Sequence, residues 1–190
     1  TTDFFDGGPS HPALCNLGPA GMAVAERVGA TGTQLITAVA LGYEMSARFH
    51  RAAFPLGLAT GELPPKDHSF PGETRHRAAT VAVVASKLLA LNAEQTQNAL
   101  GIAWYLTPLP AVGLRRGSYG LGFCQWGIQA ALLAQNNFEG PNDAIERENF
   151  YDLNALAASP SPFYHASTEM HLKPWISSRG NQPGLHAALD

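Results

Sequence analysis

Apolar residues recur along this chain at helical spacing, and stretches rich in Gly and Pro separate the runs. Ser10 and Pro12 suit the opening of a first helix, which the pattern carries to about Val28. The stretch GATGT at 29–33 breaks it. Leu35, Ile36, Val39, Ala40 and Tyr43 then predict a second helix to about Phe49. Residues 52–73 are too dense in Pro and Gly for regular structure. Thr74 reads as the cap of a third helix ending at Leu91. Asn92 and Gln95 have the spacing of a capping box, and the helix behind them ends near Tyr105, before Pro108 and Pro110. The segment LTPLPAVGLRRGSYGLG reads as a loop, and a strongly apolar helix follows from about Phe123 to Gln135. An EGPND turn and a short acidic helix come next, then a linker at SPSP. Residues 1–10 read as an irregular lead-in, 163–172 as a short strand or extended loop, and NQPGLHAALD as the first turns of a helix. The expected class is all-α, a helical bundle with long Pro/Gly loops and little or no β.

Small residues dominate the helices: RAATVAVVASK and AVALGYEMSA predict close helix packing, so these faces make core rather than chemistry. Function is then to be sought in the loops. One stretch stands out. Only 14% of the chain is charged, yet Lys66, Asp67, His68, Glu73, Arg75, His76 and Arg77 crowd in front of the most Ala- and Val-rich helix. The cluster is either a solvated loop or the lining of a pocket for an anion. Arg75 and Arg77 read more simply as part of a solvated loop face.

Composition narrows the function classes. The 190 residues suffice for one domain with a core, and 45% hydrophobic residues mark a folded chain. A net charge of -3 without a Lys/Arg-rich run argues against a nucleic-acid surface, and no apolar run approaches the length of a membrane span. Cys15 and Cys124 are far apart, which offers no disulfide framework and no CxxC site and fits a reduced, cytoplasmic compartment. Cys124 reads as buried rather than reactive. His165, Glu169 and His171 match no zinc spacing, and Gly117, Gly120 and Gly122 stand in the wrong context for a nucleotide loop. The opening TTDFF, without Met, fits a processed product, a subunit or a trimmed piece.

The order of several segments resembles the MmgE/PrpD family, which includes 2-methylcitrate dehydratase, cis-aconitate decarboxylase and iminodisuccinate epimerase. The carrying segments are SHPA at 10–13, GTQLITAVALGYEMSARFHRA at 32–52, HSFPG at 68–72, AATVAVVASKLLALNAEQTQNALGIA at 78–103, GIQAALLAQNNFEGP at 127–141 and HLKPW at 171–175. The EQTQNALGIA run is the most specific of them. The resemblance implies one helical domain over residues 1–190, the central part of the family's helical domain, without the family's smaller α/β domain.

That resemblance also implies a chemistry. Family reactions act at a carbon next to a carboxylate: dehydration, epimerisation or decarboxylation, with no cofactor. Such reactions need a proton carrier and cations that hold carboxylates, roles suited to His and to Lys or Arg. By the motif match His68 and His11 are the proton carriers expected, and Lys173 and Arg116 the cations, with Arg115 able to substitute for Arg116. His76 is a rival for the His68 position or a substrate-binding residue. Two departures stand out: Tyr119 takes the place of a family His, and Asn181-Gln182 that of a Thr-His pair. Tyr and Gln hydrogen-bond but carry no proton near neutral pH. The expected partners are a small carboxylate substrate and a second copy or another chain, with no metal, nucleic acid or membrane. Two other readings stand beside the enzyme: a non-catalytic helical subunit that binds a partner chain, and a scaffold recruited for biosynthetic chemistry on a larger substrate.

Overall fold

A helix that is apolar on every side must be surrounded by other helices. The stretch RAATVAVVASK forms such a helix, buried without a break from His76 to Ser86. The computed structural model describes residues 5–7, 16–53, 71–107, 116–148, 151–158, 161, 170–172 and 182–189. Their elements run β1 (Phe5–Gly7), α1 (Leu17–Val28), α2 (Gly32–Ala53), α3 (Pro71–Leu88), α4 (Ala93–Leu106) and α5 (Arg116–Gln135). A 3-10 turn (Glu146–Glu148), α6 (Leu153–Ala157), β2 (Met170–Leu172) and α7 (Gln182–Leu189) complete the order. The buried helix is α3, and α1, α2, α4 and α5 all pack on it.

The all-α expectation holds, with a minimal sheet added. β1 pairs antiparallel with β2, Phe5 opposite Leu172 and Gly7 opposite Met170. Residues 1–10 are therefore not wholly irregular. No local pattern marks β1, because its hydrogen-bonding partner lies at the far end of the chain.

Helix ends follow from identifiable residues. Gly29 closes α1 in the left-handed region, at φ 66°, and its N–H reaches the carbonyls of Ala25 and Glu26. At the start of α2, Gln34 N–H donates to Thr31 Oγ1 while Thr31 N–H donates to Gln34 Oε1. The capping box expected at α4 is present, with Gln95 N–H donating to Asn92 Oδ1 at 2.8 Å and Asn92 N–H to Gln95 Oε1 at 3.2 Å.

Three boundaries depart from expectation. α2 runs on to Ala53: Ala52 is buried beside Phe49, and the Ala52 carbonyl accepts from Asp152 N–H. α3 begins at Pro71 rather than after Thr74, and it ends at Leu88. Proline's fixed φ suits the first helical position, where its missing N–H costs nothing. α5 begins at Arg116, so the glycines of RRGSYGLG lie inside a helix. Each exposed glycine would cost a helix about 1 kcal/mol. Packing against α3 and α4 overrides that preference, and Gly122 leaves room for the Trp126 ring.

The core is Ala and Val with few large side chains. Ala78, Ala82, Ala85, Ala99, Ala103, Ala130, Ala131 and Ala134 form one cluster with Val24 and Phe123. Glycine sets the closest approaches. A Cβ on Gly127 of α5 would sit 2.5 Å from the Ala78 carbonyl oxygen and 2.6 Å from Val81 Cβ on α3. The run NALGIA locks onto the FEGP turn in the same way: Gly140 N–H donates to Asn98 Oδ1 at 3.1 Å, and a Cβ on Gly101 would collide with Pro141 backbone.

These contacts set two opposite expectations. Gly127→Ala should lower stability by about 1–3 kcal/mol, because the helix backbone and a branched Cβ cannot move aside. Gly18→Ala has nothing within 4 Å of the new methyl. It should raise stability by up to about 1 kcal/mol through helix propensity. Thermal or urea unfolding of the two variants checks this, and equal or reversed shifts would contradict the packing described.

Candidate functional site

The polar stretch expected to line one loop is divided by the structure. Its second half forms the first two turns of α3, where successive residues point about 100° apart. His76 is 5% exposed and lies flat against Phe49 of α2, ring centroids 5.9 Å apart and planes 16° from parallel. Arg77 is 4% exposed and turns to α5, its guanidinium carbon 5.6 Å from the centre of the Phe123 ring. Arg75 is partly buried. The solvated loop face expected for Arg75 and Arg77 is thus corrected: both are helical, and Arg77 lies in the interior. Once the helix starts at Pro71, its second turn is carried between the neighbouring helices. The carbonyl of Arg77 also accepts from Thr80 Oγ1 at 2.9 Å.

A second buried charge lies on α2. Glu44, 2% exposed, accepts from Arg48 Nε at 2.7 Å one turn on. The sequence reading passed over this pair. Its signal was the Glu-to-Arg spacing of four inside an otherwise apolar helix. Glu44, Arg75, His76 and Arg77 each make at least one further contact, so none stands alone.

Of the other candidates, His11, His68, Arg115 and Lys173 lie outside the described residues, as do Cys15, His165 and Glu169. Arg116 opens α5, Tyr119 follows one turn later, and Gln182 opens α7. The sheet bears on two candidates through the chain itself. Lys173 is bonded to Leu172, which pairs with Phe5; His11 follows Gly7, which pairs with Met170. Because the pair is antiparallel, the chain leaves β1 toward SHPA beside Met170 and leaves β2 toward KPW beside Phe5, at opposite ends of the pair. Among the described residues, no three His, Cys, Asp or Glu are grouped as metal ligands, and no helix is long and apolar enough to cross a membrane.

Comparison with protein families matches the MmgE/PrpD N-terminal domain over residues 1–161. The chain belongs to the MmgE/PrpD family. Searches among curated proteins and among solved structures each found no match. The family match takes in SHPA, HSFPG, NALGIA and the FEGP turn, while Lys173 and Gln182 lie past its end. NALGIA, within the most specific of these segments, and the FEGP turn hold each other through the Asn98 side chain and the close approach of Gly101 to Pro141 backbone.

Cys124 lies within α5, half-buried, with its thiol 3.5 Å from the Asn16 carbonyl oxygen. Burial raises its pKa above the ordinary value of 9.0, and a backbone hydrogen bond opposes the shift in part. The protonated thiol is the form the fold prefers. Its contribution is therefore present below the unfolded pKa and lost as pH rises through the higher folded value. In a Cys15→Ser background, iodoacetamide should alkylate native Cys124 more slowly than the urea-unfolded chain at the same pH. Urea unfolding at rising alkaline pH should show a fall in stability that Cys124→Ala reduces. Equal alkylation rates, or an unchanged pH dependence in the Ala variant, would contradict the burial.

Proposed function

We propose that this MmgE/PrpD chain serves a cofactor-free lyase or isomerase of the dehydratase, decarboxylase or epimerase type. Its substrate is a small polycarboxylic or related enolisable acid, and the reaction occurs at a carbon next to a carboxylate. His68 carries the proton, with His11 as the second carrier. Lys173 and Arg116 hold carboxylates, with Arg115 beside them, and Tyr119 donates a hydrogen bond where relatives use His. No metal or cofactor takes part.

The family match over residues 1–161 is the observation that carries this reading. His11 and Lys173 fall in SHPA and HLKPW, segments that resemble those of the family. A His and a Lys near one carboxylate are the minimum such a reaction needs: the ammonium offsets charge developing on the enediolate, and the imidazole takes the α-proton near neutral pH. Family membership supports the same reading. Assembly with a second copy or another chain belongs to it, and the exposed Met22, Ile36, Leu121 and Phe138 give such a contact apolar area to bury.

The test is proton exchange. The protein is incubated in D2O with a panel of di- and tricarboxylic acids, and NMR follows label entering next to a carboxylate, loss of water or loss of CO2. One acid should be labelled or converted. His68→Gln should then slow the reaction by about 10²–10⁴-fold while far-ultraviolet circular dichroism stays unchanged. Lys173→Met should act chiefly on KM. Absence of label in every acid, or a loss below about threefold in His68→Gln, would overturn the assignment.

A further inference from the structure

We propose that the outward face of α5 is a contact between two copies of this chain, packed antiparallel across a two-fold axis. Of the two assemblies named above it selects the second copy, and it rests on that part of the reading alone.

Apolar residues lie on every side of α5, with almost no amphipathic bias. A helix of that kind is normally covered all round. Here α3 and α4 pack on one side, and α1 touches its edge. They bury Phe123, Ala130 and Ala134 and leave the opposite face open. Leu121 is 68% exposed there, Gln125 and Gln129 are exposed, and Leu132 is half-buried. The spacing of these four residues sets them in one stripe along the helix.

The stripe carries no charge. From Gly117 to Phe138 the sequence holds no Asp, Glu, Lys, Arg or His, although 14% of the chain is charged. By contrast α1 shows Glu26 and Arg27 to solvent, α3 shows Lys87 and α4 shows Glu94. Depletion of Lys, Glu and Asp marks the centre of an interface rather than open surface. The order of side chains points to the occupant. Leu, Gln, Gln, Leu reads the same in both directions. Turned about a two-fold axis, Leu121 meets the partner's Leu132 and Gln125 meets the partner's Gln129, each contact made twice. An amide both donates and accepts, so the glutamines satisfy one another. An uncharged face also meets its own copy without like-charge repulsion. Phe138, 59% exposed just past the helix end, adds apolar area.

Sedimentation of the parent chain and four variants tests this. The parent should be dimeric at micromolar concentration. Gln125→Glu with Gln129→Glu, and Gln125→Lys with Gln129→Lys, should each weaken the dimer by on the order of 10²-fold or more, because like charges then meet. Mixing these two variants should restore association to within about tenfold of the parent. Gln125→Glu with Gln129→Lys in one chain should stay dimeric, since antiparallel pairing sets each new charge against its opposite. Leu121→Glu should dissociate. Glu and Lys suit exposed helix positions, and far-ultraviolet circular dichroism checks that helix content holds. A parent that stays monomeric overturns the proposal. So does a dimer that the like-charge variants leave intact, or a mixture of the two that fails to reassociate. Dissociation of the Gln125→Glu, Gln129→Lys chain overturns the antiparallel pairing. Sedimentation needs no substrate, so this result and the fate of the lyase reading are decided separately.

Discussion

Burial of α3 on all sides is the constraint on which the rest of this structure depends. Four helices can surround a fifth only if side chains at the contacts are small, because interhelix distance grows with side-chain size. Ala and Val fill α3, and its neighbours answer with glycine where they come nearest: Gly127 against Ala78 and Val81, Gly42 and Gly21 against Val84. Such a core gains little from any single side chain. Its stability comes from many close contacts, so it responds more to added volume than a core of Leu and Phe would. The caps at Gly29, Thr31 and Asn92 serve the same end by satisfying backbone groups where one helix stops and the next begins.

The same burial gives α3 two unlike halves. From Ala78 onward it is almost purely apolar, while Arg75, His76 and Arg77 occupy its second turn. Polar groups in that position must find partners inside the protein. His76 finds Phe49, Arg77 finds Phe123, and each makes further contacts. Ring contacts at this turn tie α3 to α2 on one side and to α5 on the other.

Much of the fold was legible in the sequence, for reasons that can be named. The periodic apolar positions of α1 and α2, the Asn92–Gln95 box and the small-residue composition of α3 are local signals, and each gave its element. What was missed depends on distant partners. β1 is a strand only because β2 lies beside it. The glycines of RRGSYGLG read as loop until α3 and α4 are there to pack against. The polar cluster misled for a similar reason. Read as a string it looks like one lining, but a helix starting at Pro71 sends adjacent side chains to different neighbours. Pro71 itself was the available clue, since proline favours the first position of a helix. Of the candidate site, His76 could be placed among its neighbours, and Arg116 and Tyr119 by their position on α5; His11, His68, Arg115 and Lys173 lie outside the described residues.

Recognition and chemistry also separate along this chain. NALGIA, part of the run that most clearly marks the family, meets the FEGP turn through the Asn98 side chain and through close approaches at Gly101 and Gly140 that leave no room for a Cβ, so packing constrains these positions. The departures from the family pattern fall elsewhere. Tyr119 stands on α5 and Gln182 opens α7, each accommodated in a regular helix. A scaffold held by contacts such as Gly101 on Pro141 does not depend on what those two positions carry. Under the function proposed above, replacing His by Tyr and Gln keeps hydrogen bonding and removes two proton carriers. Proton transfer in that proposal then concentrates on His68 and His11. Under that proposal the packing of the fold is kept while two side chains narrow the reaction.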